Sequence, residues 1–287
     1  MSRCGLAPAV FAVLALGVSP MAASSDLTRV HLQAGIEHYE WKEFFSDGAT
    51  AVKETGPFPT VGGGWDDLRR DSEGSLYGVD GYAYLGRVDY SGFSQDLNTG
   101  TLTPLQSHTD YNGVHATGFG GYRFMRGRYG LDLIGGGGLD SWRRSLGTAL
   151  DAAGNVSSGY VENYAIVNAR LAAALFRDLG SWSYRVQAGA KYPVYTYEHV
   201  SLLDGMDLSP GKRTSFFGEV SFEFGPPERS HYGLSLGFDS YRFSPSDPKL
   251  LTYNGLPVTD QNGRPLYSYQ PKSEQTIYTL NLSYYFR

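Results

Sequence analysis

The sequence predicts an all-β fold, a single transmembrane antiparallel up-and-down β-barrel of ten strands, with eight strands as the alternative. Three observations predict it. The N-terminal segment marks the chain for export. The remainder is built from stretches that alternate apolar and polar side chains. The connections between those stretches alternate between short and long.

The export segment comes first. Arg3 precedes an apolar run over residues 6–18, and Ala22 and Ala23 stand just before Ser24, Ser25 and Asp26. A basic start, a short apolar run and small residues at its end make a secretory signal peptide, too short to cross a bilayer as a helix. The chain is therefore divided into a signal peptide, residues 1–23, and one barrel domain, residues 24–287. The single cysteine, Cys4, precedes the apolar run, so it is not placed for lipid attachment. Residues 24–287 contain no cysteine, which excludes disulfides and thiolate metal sites. No later stretch reaches the length of about 18 apolar residues that a transmembrane helix needs. The formal charge of −5, without a basic cluster, argues against nucleic acid as a partner. Thirty-seven glycines and 22 tyrosines suit a protein of many turns with aromatic belts.

The strands follow in order. Residues 27–40 set Val30, Leu32, Ala34 and Ile36 against His31, Gln33 and Glu37. Side chains alternate across a strand, so each such pattern separates an apolar face from a polar one. Residues 58–68 form the poorest strand, because Pro57, Pro59 and Gly62, Gly63 and Gly64 disfavour a ladder. It is nevertheless needed, since bacterial barrels have even strand numbers with both termini at the periplasmic side. In residues 75–90, Tyr77, Val79, Ala83 and Leu85 oppose Asp80, Tyr82 and Tyr84. Residues 111–124 and 128–142 continue the pattern, the latter through a glycine run at 135–138. Residues 160–176 place Ala165, Val167, Ala169, Leu171, Ala173 and Leu175 on one face. Residues 182–198, 214–224 and 231–243 alternate just as clearly. The last strand, residues 274–286, sets Tyr278, Leu280, Leu282, Tyr284 and Phe286 against Thr279, Asn281, Ser283 and Tyr285.

Short turns at residues 125–127, 178–180 and 225–229 alternate with long connections at about residues 91–110, 145–159, 201–212 and 244–273. That rhythm is the mark of short periplasmic turns and long extracellular loops. It turns the apolar faces toward lipid, where a soluble, secreted β-sandwich would turn them toward a core.

With these features the sequence resembles the bacterial outer-membrane β-barrel superfamily. The residues that carry the resemblance are the signal segment, the alternating strands and the terminal aromatics Tyr278, Tyr284 and Phe286. It implies location in the bacterial outer membrane, outer-membrane lipid as surroundings and the barrel-assembly machinery as the partner that reads the final strand. Arg287 stands where that signal usually ends on the aromatic itself.

Three function classes remain. The first is a structural, surface-contact or narrow-pore role. Its candidate residues are a lumen charge network of Glu37, Asp80, Asp132, Glu162, Arg170, Arg185, Lys191, Glu219, Glu223 and Asp239, with Arg123, Asp140 and His115 on the same faces. Charges inside so narrow a barrel need partners. They either plug it or select solutes through it. The loop at 244–273, rich in proline with Tyr253, Tyr267 and Tyr269, is the candidate contact surface.

The second class is an outer-membrane hydrolase, a protease or lipid-modifying enzyme with its site at the extracellular rim. The omptin proteases pair acidic residues with a His–Asp couple there. The matching residue types here are Asp66 with Asp67, and His199 near Asp204, but the topology puts them at opposite ends of the barrel. Ser107–His108 lacks the geometry of an activated serine, and His38, His108, His115 and His231 show no metal spacing. No catalytic residue, cofactor or metal is assigned. The third class is the secreted sandwich.

Overall fold

The structure, a computed structural model, describes residues 29–67, 72–96, 99–226 and 229–286. The signal peptide of residues 1–23 lies outside them. Ten long strands form the body: β1 (Arg29–Phe44), β2 (Thr50–Asp66), β3 (Gly74–Gln95), β4 (Leu102–Arg126), β5 (Tyr129–Leu146), β6 (Val161–Asp178), β7 (Trp182–Val200), β8 (Ser215–Phe224), β9 (His231–Ser244) and β10 (Lys272–Phe286). Each pairs antiparallel with its sequence neighbours, and β10 pairs with β1 from Val30↔Phe286 to Phe44↔Lys272. The sheet therefore closes into one ring of ten strands, which rules out a two-sheet sandwich.

Closure leaves the ring without edges, so every backbone group along it can be satisfied inside the sheet, as hydrocarbon requires. The outward side chains suit that solvent. Leu32, Val61, Leu85, Leu133, Leu171, Leu175, Leu236 and Leu282 are all exposed, Leu171 by 73%. An apolar band of this size does not face water in a monomer. Aromatics border it at the turn end, where Trp65 packs on Tyr77 and Tyr232 on Tyr284. They border it again at the loop end with Tyr192, Phe216, Phe238 and Tyr278. The protein is thus an outer-membrane-type barrel, with lipid-facing aliphatics between two aromatic girdles.

Three local features depart from the sequence expectation. First, β2 runs over Thr50–Asp66 rather than 58–68, and Leu68 lies outside the described residues. Its prolines are tolerated because pairing with β1 is unbroken from Arg29↔Asp66 to Glu43↔Val52, whereas pairing with β3 lapses between Thr55↔Asp89 and Thr60↔Tyr84. Pro57 and Pro59 have no N–H to offer that gap. Second, residues 91–110 are not a loop. β3 and β4 stay paired out to Gln95↔Leu102. Third, β7 carries a bulge where Asn168 faces Pro193 and Val167 faces Tyr195, with Val194 left over. One extra residue reverses the alternation. Below the bulge the odd-numbered Lys191 is buried, and above it the even-numbered Thr196, Glu198 and Val200 are. Lys212 donates to the Val194 carbonyl at 2.5 Å and holds the bulge.

Beyond the loop end the connections fold onto one another. Met206–Leu208 pairs with the end of β7, and Gly211–Lys212 with the end of β9. Val200, Met206, Leu208 and Leu251 form a small core with Tyr160, Leu202, Val258 and Leu266 packed against it. Asp204 fastens the two loops by accepting the N–H groups of Asn254 and Gly255, each at 2.9 Å.

Candidate functional site

The lumen has two levels of different chemistry. The level nearer the turns is polar and contains a cavity of about 270 Å³. Strand alternation places every charged group there. Arg29 pairs with Asp66 at 2.7 Å and Glu223 at 2.8 Å, and His231 meets Glu223 at 3.0 Å. His31 lies 2.9 Å from Asp80, to which Gln33 also donates. Asp132 is fully buried between Arg123, at 2.6 Å and 2.8 Å, and Arg185, at 3.2 Å. Asp239 forms an ion pair with Lys191 at 2.5 Å and accepts from Arg170 at 3.4 Å. Asp140 takes His115 at 2.5 Å together with Asn168 and the Tyr241 hydroxyl. Glu219 lines the cavity, and Glu37 is buried beside the Tyr82 hydroxyl.

The level nearer the loops is a dense plug. Tyr39, Trp41, Phe58, Tyr84, Val88, Tyr111, Trp142, Tyr164, Ile166, Tyr241 and Phe243 form one buried cluster contributed by β1 to β6 and β9, with Ile277 of β10 packed against it. Trp142 stacks on Tyr164 with centroids 4.7 Å apart, and Trp41 meets Trp142, Tyr164 and Phe243. Gly86 and Gly113 make room for it: a Cβ on Gly86 would stand 2.5 Å from the Phe58 ring, and one on Gly113 2.6 Å from Tyr84.

Above the aromatics lies a buried ion cluster. The Arg144 guanidinium binds Glu54 at 2.9 Å, Glu162 at 2.6 Å and Glu43 at 3.3 Å. Thr109 donates to Glu54 at 2.7 Å, Trp41 donates to Glu43 at 2.9 Å, and the Tyr111 hydroxyl also donates to Glu54. Of the charged residues singled out from the sequence, Glu162 alone sits in this upper group. Sequence reading missed Glu43, Glu54, Arg144 and Glu198. Glu198 could not be found by alternation at all, because the bulge at Val194 is what turns it inward.

The hydrolase residues do not assemble. Asp66 is tied to Arg29 at the turn end, while His199 is at the loop end. His199 pairs with Asp207 at 2.7 Å, not with Asp204, which is engaged by the backbone of the 245–271 loop. Tyr197 also donates to Asp207, at 2.9 Å. His38 faces outward and is exposed. His108 lies 3.3 Å from Asp89 on the outer surface. Among the described residues no group of three His, Asp or Glu is arranged to hold a metal.

No protein-family model matches the chain, and no curated protein matches it. Among solved structures it is similar to the outer-membrane protease OmpT of Escherichia coli, at 12% identity over 90% of this chain and 97% of that one, with a TM-score of 0.49. It is also similar to the Pseudomonas putida toluene transporter TodX, at 8% identity over 91% and 90% of the two chains and a TM-score of 0.31. The β-domain of the Bordetella autotransporter BrkA gives 13% identity over 89% and 98%, with a TM-score of 0.31. Nothing about this chain's activity follows from likenesses this distant.

Proposed function

We propose that the protein is a closed outer-membrane barrel that presents a structured surface to the outside, and that it is not a pore. The observation that carries this is the plug. Trp41, Phe58, Tyr111, Ile166, Tyr241 and Phe243 are each 2% exposed or less, and they belong to one buried cluster inside the ring. A conducting path needs a continuous string of water, which a dry aromatic layer does not provide. The short turns face the periplasm and the long loops the exterior, as in bacterial barrels generally. Outer-membrane lipid surrounds the apolar band, the assembly machinery reads residues 278–286, and no cofactor is involved. The folded loops, with exposed Tyr253, Leu256, Tyr267 and Tyr269, supply the contact surface. Planar-bilayer recording tests this: the purified barrel gives no discrete conductance steps, and regular ion-selective steps would refute the proposal.

A rim hydrolase is the second reading, because the partly exposed His199 is oriented by Asp207. It requires that His199→Ala abolish hydrolysis of an externally supplied peptide or lipid substrate. Equal turnover by both proteins removes it.

A further inference from the structure

The upper ion cluster contains one residue that its neighbours do not explain. Among the described residues, Glu43, Glu54, Glu162 and Glu198 share a buried space with a single cation, Arg144. Arg144 reaches the first three. Glu198 is 0% exposed, and neither of its carboxyl oxygens has a hydrogen-bond partner of good geometry. The Tyr164 hydroxyl, which lies against Glu198, donates to Glu162 at 3.0 Å, so a single hydroxyl proton is shared between two carboxylates. Among the described residues, the other titratable groups turned toward this space are Tyr39 from β1, Tyr90 from β3, Tyr111 from β4 and Tyr160 from β6, which bring no positive charge. A buried carboxylate whose nearest donor and nearest cation are already taken by other carboxylates is costly, and protonation removes the cost. Glu198 stands above the lipid-facing band, and burial together with the nearby Glu162 pushes its carboxyl well above the usual range.

Its place in the fold gives this consequence. Glu198 pairs in register with Leu208, and Val200 with Met206. Leu208, Met206 and Val200 belong to the core that seats the 201–214 segment and the 245–271 loop over the barrel mouth. We propose that Glu198 is a proton-controlled latch of this cap: as the neutral acid it lets the cap seat, and on ionisation it drives the cap open.

The sign follows from linkage. A carboxyl whose folded pKa is raised stabilises the closed cap fully below the unfolded pKa, and that contribution is lost as pH rises toward the folded pKa. The test uses the full-length barrel in lipid nanodiscs between about pH 5 and about pH 9. Limited proteolysis of residues 201–214 and 245–271 is followed, normalised at each pH to cleavage of a free peptide. Cleavage of the native cap is expected to rise about tenfold or more across that range, while Glu198→Gln, a neutral isostere, cleaves slowly at every pH. Cap cleavage that ignores pH in the native protein overturns the proposal, as does an unchanged pH profile in Glu198→Gln. If that variant fails to assemble, infrared difference spectra of the native protein decide. Loss of a protonated-carboxyl band in step with cap opening supports the latch, and opening without such a loss rejects it.

Discussion

The two levels of the lumen show how differently the same barrel can be filled. Near the turns, charges are spread in small groups around a cavity: Arg29 with Asp66 and Glu223, Arg123 with Asp132, Lys191 with Asp239. Each cation has a carboxylate, and water can complete what the protein leaves open. Near the loops, the aromatic layer excludes water, and one guanidinium serves three glutamates. Losing a partner should therefore cost more above than below. Removing one member of a buried pair costs about 3–5 kcal/mol, because the other charge stays behind.

The largest effect is expected for Arg144→Leu, which strands Glu43, Glu54 and Glu162 at once. Thermal unfolding in detergent should show a loss at or above about 5 kcal/mol, or no folded, heat-modifiable species. A loss under about 2 kcal/mol would erase the contrast between the levels. Trp41→Ala comes next. It hollows out the aromatic layer and should cost about 3–5 kcal/mol in the same measurement. Asp132→Asn is expected to cost less, about 2–3 kcal/mol, because Arg185 can turn to water in the cavity while only Arg123 is stranded. The smallest effect belongs to Arg87→Ala. Its pair with Asp110 lies on the outer surface with both side chains more than half exposed, and no change in melting is expected.

Acid provides a further probe of the cap. The backbone N–H groups of Gly255 and Asn254 hold the Asp204 carboxyl below its ordinary range. A depressed folded pKa contributes stability above the unfolded value, and that is lost as pH falls through the folded one. Proteolysis of the 245–271 loop should therefore quicken below about pH 4, and Asp204→Asn should be equally cleavable above and below that pH.

The contrast between levels also explains what the sequence could reveal. Alternation is legible where one face meets lipid and the other meets polar lumen, as with Leu280 and Leu282 against Asn281 and Ser283. All ten strands leave that trace, including β2, whose prolines hide only part of it. Beyond the lipid band the outer face meets water. There Arg87, Asp89 and Ser91 on β3 face out while Val88 and Tyr90 face in, and β4 likewise exposes Gln106, His108 and Asp110. The polarity is reversed, so residues 91–95 and 102–110 read as part of a loop although they are paired strand. The lower charges, such as Asp132 and Arg185, were placed by face alone. The upper group needed facts that no single strand carries: a bulge at Val194 that turns Glu198 inward, and the closure of the ring that brings β1, β2, β5 and β6 to one guanidinium.

The central claim is that the lumen is sealed at its upper level. Ser235 lines the lower cavity, and residues 24–287 contain no native cysteine, so Ser235→Cys places one thiol below the plug. Its labelling by a membrane-impermeant thiol reagent added to whole cells tests the seal directly. The account predicts no labelling from outside and full labelling once the protein is unfolded in detergent. Labelling from outside at a rate near that of the unfolded protein would contradict it.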